Sequence, residues 1–273
     1  VQCADISLNS SFSTIEALNE EARRQDKIHK VIIMVELGEL REGILRENIV
    51  DFYQRVFNLD HIETIGLGSN LGCMYGIEPT YDKLLQLSLF KQLLEQMFNK
   101  KIPLISGGSS ITLPLINKKL VPKSINHFRI GESAFFGTSP LDNKRFQKLS
   151  TDTFRFNANI IELEEKNNMP DGIISEASIG HTSDTDIEQP SFKTYRAILD
   201  FGILDVDVND VEPKDDNVEF IGTTSDMNVY DIGRNINAQL KQKYMVGKKI
   251  CFKPNYMAVA RLMNSKFIDL KIE

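Results

Sequence analysis

The chain has 273 residues, 41% of them hydrophobic and 26% charged, the composition of a folded protein long enough for two domains. A net charge of −6 with no basic patch argues against a nucleic-acid partner, and no apolar run is long enough to cross a membrane. Cys3, Cys73 and Cys251 are odd in number and widely spaced, so they form no metal motif and point to a reducing, cytoplasmic compartment.

The pattern predicts a short strand over residues 1–8. A helix over 14–25 follows, capped by Ser13 with Glu16 in the capping-box position. Residues 30–35 form a dense apolar run, as in a strand buried on both faces. It ends in a polar loop that holds Gly38, Glu39, Arg41 and Glu42. A helix over 48–57, a strand over 62–67 and a long helix over 81–98 come next, the last with Leu84, Leu85, Phe90, Leu94 and Met97 at helical spacing. A strand near Pro103 runs into Ser106-Gly107-Gly108-Ser109-Ser110, a helix covers 111–117, and a further strand ends at Arg129, before Gly131-Glu132. Alternating strands and helices mean a parallel sheet with right-handed crossovers, either a barrel or an open sheet. Five strands are visible by Arg129, whereas a closed barrel has eight over about 250 residues.

After Gly137 the pattern becomes mainly β. Strands are expected over 154–162, 195–199, 218–221, 229–232 and 249–252, with turns at 164–172 and 213–217. The polar run 180–190 reads as a loop, and 257–264 as a short helix or strand. The division falls at 1–138 and 139–273.

Several residues carry chemical options, each beside a plainer one. The Gly/Ser turn at 106–110 can present N–H groups to a phosphate, although turning the chain is the ordinary use of such residues. Arg41 can hold an oxyanion or pair with the adjacent Glu39 and Glu42. Asn70 can hydrogen-bond a planar group or serve as a turn residue. His29, His61, His127 and His181 are isolated, and His181 lies before Asp184 and Asp186. Asp205 and Asp207 read as a solvated loop. Ser225-Asp226 can meet a carboxylate or close a β-turn, and Tyr256 can donate to a phosphate or simply pack. No metal motif, GxGxxG, Walker motif or GxSxG elbow occurs.

Seven ordered segments, ISLNS, IIMVELGELREGI, IETIGLGSNLGCMYGIEPT, ISGGSSITLPLI, NHFRIGESAFFG, YRAILDFGILDVDV and GTTSDMNVYDIG, span nearly the whole chain. Together they resemble the alanine/ornithine racemase family of pyridoxal 5'-phosphate (PLP) enzymes. The resemblance implies a TIM-like α/β barrel that binds PLP, followed by a mainly β domain, in a homodimer that acts on a small-molecule amino acid. The implied activity interconverts L- and D-ornithine, or a similar amino acid, by removing and returning the Cα proton. The alternative is a PLP-binding protein without catalysis, or an inactive fragment of a racemase.

The resemblance also distributes roles. Arg129 is similar to the arginine facing the pyridine nitrogen, Arg41 to the one near the cofactor phenolate, and Asn70 to a polar residue beside the ring. Ser109 and Ser110, with Gly131 and Glu132, resemble the phosphate cup, with Tyr256 as a looser addition. Ser225 and Asp226 resemble the segment that reaches the substrate carboxylate from a partner subunit. Asp184, Asp205 and Asp207 are candidates for selecting a basic substrate. The family's Schiff-base lysine, at the end of the first barrel strand, has no counterpart here. Neither has its catalytic tyrosine, for which Glu176 or His181 is the substitute expected. On this resemblance the segment 32–38 is the fifth barrel strand, and the natural protein is expected to carry the earlier strands and the lysine. The chain as given is then expected to be inactive by itself.

Overall fold

The structure is a computed structural model that describes residues 1–174, 180–182 and 191–272. It divides into two compact units, Val1–Thr151 and Asp152–Glu273.

The first unit is a five-stranded parallel sheet in the order β1 (Ile6–Asn9), β2 (His29–Met34), β3 (Ile62–Gly68), β4 (Leu104–Ser109) and β5 (His127–Arg129). Helices α1 (Phe12–Arg24), α2 (Ile49–Val56), α3 (Tyr81–Phe98) and α4 (Leu113–Asn117) connect the strands, and α5 (Glu132–Phe136) follows β5. In β2 the alternate residues Val31 and Ile33 join Ile15, Tyr53, Leu84 and Leu94 in the core beneath the helices. Ile32 and Met34 point the other way and pack with Ile65 and Leu104. Both faces of β2 are therefore buried from Val31 onward, which is why residues 31–35 are an unbroken apolar run. The sheet does not close on itself, so β1 and β5 are its edges. The register pairs Leu8 with Ile32, and Leu8 and Ile6 are each 42% exposed.

Two helix boundaries follow from local chemistry. Thr80 caps α3 by accepting a hydrogen bond from the Lys83 N–H at 3.3 Å, and Asn99 ends the helix in the left-handed conformation. The start of α1 differs from expectation. Ser11, not Ser13, is the N-cap residue, and Phe12 already lies in the first turn. Phe12 stacks edge-on against Phe52 at 6.2 Å and lies under the Arg55 guanidinium, contacts that draw it into the helix.

The second unit is a seven-stranded sheet in the order β7 (His181–Thr182), β10 (Glu219–Thr223), β11 (Asn228–Gly233), β8 (Lys193–Leu199), β6 (Phe156–Asn167), β12 (Lys249–Pro254) and β9 (Val211–Pro213). Its pairings are antiparallel. Phe156, Phe201, Phe252 and Tyr230 form an aromatic core with centroids 4.9–5.9 Å apart. The turn expected over 164–172 begins later, because β6 runs on to Asn167, paired with Lys193. The charged residues 164–166 gave no alternation to read, yet β8 supplies their backbone partners. The undecided segment near the end is a helix, α7 (Tyr256–Leu262), capped by Asn255 through the Ala258 N–H at 2.9 Å. A short helix, α6 (Ala238–Lys243), precedes β12. None of the helices is long and apolar enough to cross a membrane among the described residues.

Candidate active site

The polar residues of the first unit gather beyond the C-terminal ends of its strands, where open and closed parallel sheets place their sites. The loop after β2 folds back on itself: the Glu36 N–H donates to Ile44 O at 2.9 Å, and the Ile44 N–H donates to Met34 O at 2.8 Å. Gly43 makes this return at φ +135°, where an added Cβ would lie 2.4 Å from the Glu36 nitrogen. Lys83 clamps the loop from α3, its Nζ donating to Leu37 O at 2.5 Å.

The excursion presents Arg41. Its guanidinium pairs with Glu42, donating from Nη2 to Oε1 at 2.7 Å, and donates from Nη1 to Cys73 Sγ at 2.6 Å. Glu39, the other acid offered as a partner for Arg41, does not share this pairing. It is 1% exposed and turned inward, accepting from four backbone N–H groups of the loop after β3.

Asn70, in that same loop, stands between two arginines. With its amide turned so that the oxygen faces Arg41, it accepts from Nη1 at 3.2 Å and Nη2 at 3.0 Å. In the opposite orientation the oxygen is 3.4 Å from Arg129 Nη2, which also donates to Ser69 O at 2.9 Å. The orientation towards Arg41 is preferred, since its oxygen then accepts two hydrogen bonds, both shorter than the single one it accepts from Arg129. Arg129 Nε is buried and has no partner among the described residues. Burial pushes the Arg129 pKa down from its usual value, and the Glu42 charge partly opposes this. An arginine nevertheless stays protonated at any ordinary pH. The hydrogen bond from Arg41 holds the Glu42 carboxyl below the usual range, against the effect of burial.

The second cluster joins β4 to α5. The buried Ser110 hydroxyl accepts the Ser133 N–H at 3.1 Å, and Thr112 Oγ1 accepts the Ser109 N–H at 3.4 Å. The first N–H groups of a helix have no intrahelical partner. A Cβ built on Gly131 would meet nothing within 4 Å, so open space lies beside the start of α5. Burial raises the Glu132 pKa. The first unit therefore brings together Arg41, Asn70 and Arg129, and separately Ser109, Ser110, Gly131 and Glu132. A phosphate-bearing planar group fits this set: open space lies at Gly131 beside the first N–H groups of α5, and Arg129 Nε, with no partner among the described residues, is a donor of the kind a ring nitrogen accepts from.

In the second unit, Ser225 and Asp226 occupy the tip between β10 and β11. Ser225 Oγ is 3.0 Å from Asp226 Oδ1, and Ser225 O accepts the Leu204 N–H at 3.0 Å. His181 is exposed on β7 and pairs with Thr223, so it stands at the same end of the sheet. Tyr256 opens α7 and is half exposed. Asp205 accepts the Gly202 N–H at 3.1 Å and Asp207 accepts the Asn209 N–H at 3.0 Å, so both close their own turns. Glu176 and Asp184 lie outside the described residues. None of the described residues forms a metal-binding cluster. Ser69, Thr112 and Ser133 were not singled out in the sequence. Their signal was position alone, each next to or within three residues of a candidate.

A parallel α/β unit with arginines and small residues at its strand ends, joined to an antiparallel β unit, defines a protein of the alanine-racemase fold. An alanine racemase from Clostridium difficile 630 superimposes with a TM-score of 0.58 at 14% identity, over 94% of this chain and 65% of that one. Residues 5–140 match the family model described as alanine racemase, N-terminal domain. Ornithine racemase of Acetoanaerobium sticklandii is 34% identical over 276 residues, covering 100% of this chain and 75% of the relative. Lysine racemase of Thermotoga maritima is 29% identical over 265 residues, covering 97% and 72%. The chain belongs to the alanine-racemase-fold family of PLP proteins. It spans about two thirds of the solved racemase's length and about three quarters of the two relatives'.

Proposed function

We propose that the protein is a PLP-dependent amino-acid racemase acting on ornithine or a similar basic amino acid, as a homodimer. The observation that carries the reading is Arg129 at the end of β5, whose buried Nε has no partner among the described residues while its Nη2 lies beside Asn70, which also meets Arg41. PLP, when bound, acts as an electron sink that acidifies the substrate Cα–H. Ser109 and Ser110, with the N–H groups of Gly131 and Glu132, would hold its phosphate, and Tyr256 would add a hydroxyl. Arg129 would donate to the ring nitrogen. A guanidinium does not give up its proton, so Arg129 would hold the ring nitrogen by a hydrogen bond without protonating it, which would moderate the charge withdrawal that PLP supplies. Arg41 would face the ring oxygen, and Asn70 would fix the spacing of the two arginines.

His181 and Glu176 are our candidates for moving the Cα proton, and Ser225 and Asp226 for meeting the substrate carboxylate. The preference for ornithine is supported by the named relatives, which are an ornithine and a lysine racemase. The test is incubation of the intact protein with L-ornithine, L-lysine and L-alanine, followed by chiral chromatography. D-ornithine or D-lysine formation supports the proposal, and no turnover of any of the three defeats it.

A second reading is PLP binding without turnover. It is favoured by one observation: the five parallel strands end in Asn9, Met34, Gly68, Ser109 and Arg129, none of them a lysine. The mass of the intact protein after borohydride reduction with PLP separates the two. A pyridoxyl adduct supports the racemase, and its absence beside saturable PLP binding supports the second reading.

A further inference from the structure

The loop after β3 carries Asn70, yet almost nothing regular holds it. Among the described residues, positions 70–79 make no backbone–backbone hydrogen bond. One side chain takes that place. Glu39 Oε1 accepts from the N–H groups of Cys73 at 3.0 Å and Tyr75 at 2.7 Å, and Oε2 from Gly72 at 3.0 Å and Ile77 at 3.2 Å. The carboxylate comes from a different loop, the one after β2, and is 1% exposed.

A carboxylate suits this position because it offers acceptor sites only, on two oxygens, and here every facing group is a donor. Leu71 is buried in the core and anchors the start of the segment, but an apolar contact does not set the direction of a peptide. The four N–H groups do. They fix the chain that brings Asn70 between Arg41 and Arg129, and they fix Cys73 where its sulfur meets Arg41.

We propose that Glu39 is the positioning residue of the cofactor site: its carboxylate folds the 70–77 segment into one shape, and so sets where Asn70 and Arg41 stand against the ring. This rests on the reading of Arg41, Asn70 and Arg129 as the ring side of a PLP site. Glu39 itself touches neither cofactor nor substrate. Its work is done before either binds.

The test is Glu39→Gln in the intact protein. Glutamine has the same size, but its NH2 group would face two of the donors. Amide hydrogen exchange in cofactor-free protein is the first readout. Exchange at positions 72, 73, 75 and 77 is expected to rise about tenfold or more, while α3 stays protected. The PLP dissociation constant, read from quenching of protein fluorescence, is the second, and it is expected to rise about tenfold. Glu39→Asp retains the charge and all acceptor sites on a shorter stem, so it should lie between wild type and Glu39→Gln in both readouts. It carries the test by itself if the glutamine variant does not fold.

Faster exchange together with weaker PLP binding supports the proposal. Faster exchange with unchanged PLP affinity overturns it, since the carboxylate would then be structural only. Unchanged exchange overturns it as well. Wild-type protein that binds no PLP refutes instead the function proposed above, and is recognised by failing before any variant is compared.

Discussion

Two glycines in the small-residue cluster should respond in opposite ways to the same methyl group. A Cβ on Gly108 would lie 2.8 Å from both Phe128 Cδ1 and Thr112 Oγ1, and 2.9 Å from Thr112 Cβ. Such distances are not tolerated, so the ring or the threonine must move. Thr112 is 1% exposed and accepts the Ser109 N–H, so it has little freedom. Overpacking of this kind costs about 1–3 kcal/mol. At about 2–4 °C per kcal/mol for a protein of this size, Gly108→Ala should lower Tm by roughly 4–8 °C for a cost near 2 kcal/mol. A Cβ on Gly131 would meet nothing within 4 Å, and φ there is −126°. Gly131→Ala should therefore change stability by less than about 1 kcal/mol. The methyl group would instead occupy the space in which the phosphate is proposed to sit, so PLP binding should weaken at least about tenfold. The assay is thermal unfolding followed by circular dichroism, with PLP titration of each variant. The reasoning is refuted if Gly131→Ala unfolds as early as Gly108→Ala, or if it binds PLP as tightly as wild type.

Ser110→Ala should leave the buried Ser133 N–H without its acceptor at 3.1 Å, a loss of about 1–3 kcal/mol readable by urea unfolding. An unchanged midpoint would contradict the assigned hydrogen bond. In the second unit, burial would raise the Asp215 pKa, but hydrogen bonds from Lys243, Tyr244 and Asn217 outweigh it and hold the carboxyl well below its ordinary range. A depressed carboxyl pKa contributes stability that is full above the unfolded value of about 4 and is lost as pH falls through the folded one. Asp215→Asn should therefore be less stable than wild type at neutral pH and flatter on the acid side, and parallel Tm–pH curves would contradict this. Burial lowers the His29 pKa, so charging it opposes folding. Its contribution is complete above the unfolded value of about 6.5 and is lost as pH falls below it. His29 lies 2.8 Å from Ser7 Oγ, and His29→Gln should reduce the loss of first-unit stability between neutral pH and pH 5. Equal losses in both proteins would rule this out.

Much of the scaffold was legible because it is set by short-range pattern. The apolar run at 30–35 announces a strand covered on both faces, and β2 is one. The period of α3 is local chemistry. Arg41 and Glu42 are neighbours in the chain, and they are also partners. Where sequence reasoning stopped, the deciding partner was far away along the chain. The N-terminal turn of α1 includes Phe12 because of Phe52, forty residues on. The charged end of β6 is a strand because β8 pairs with it.

Glu39 shows the division most clearly. In the sequence it is one of two acids flanking an arginine, and pairing with that arginine was its natural reading. Type, order and spacing of residues determined by themselves the alternating first unit, the β-rich second unit and the set of candidate side chains, and the resemblance of seven ordered segments supplied the PLP family. They could not determine which acid meets which donor, because hydrogen bonds are short and the sequence carries no distances. Only the parallel sheet, by setting the loops after β2 and β3 side by side, decided that Glu42 holds Arg41 while Glu39 turns inward to four N–H groups more than thirty residues away.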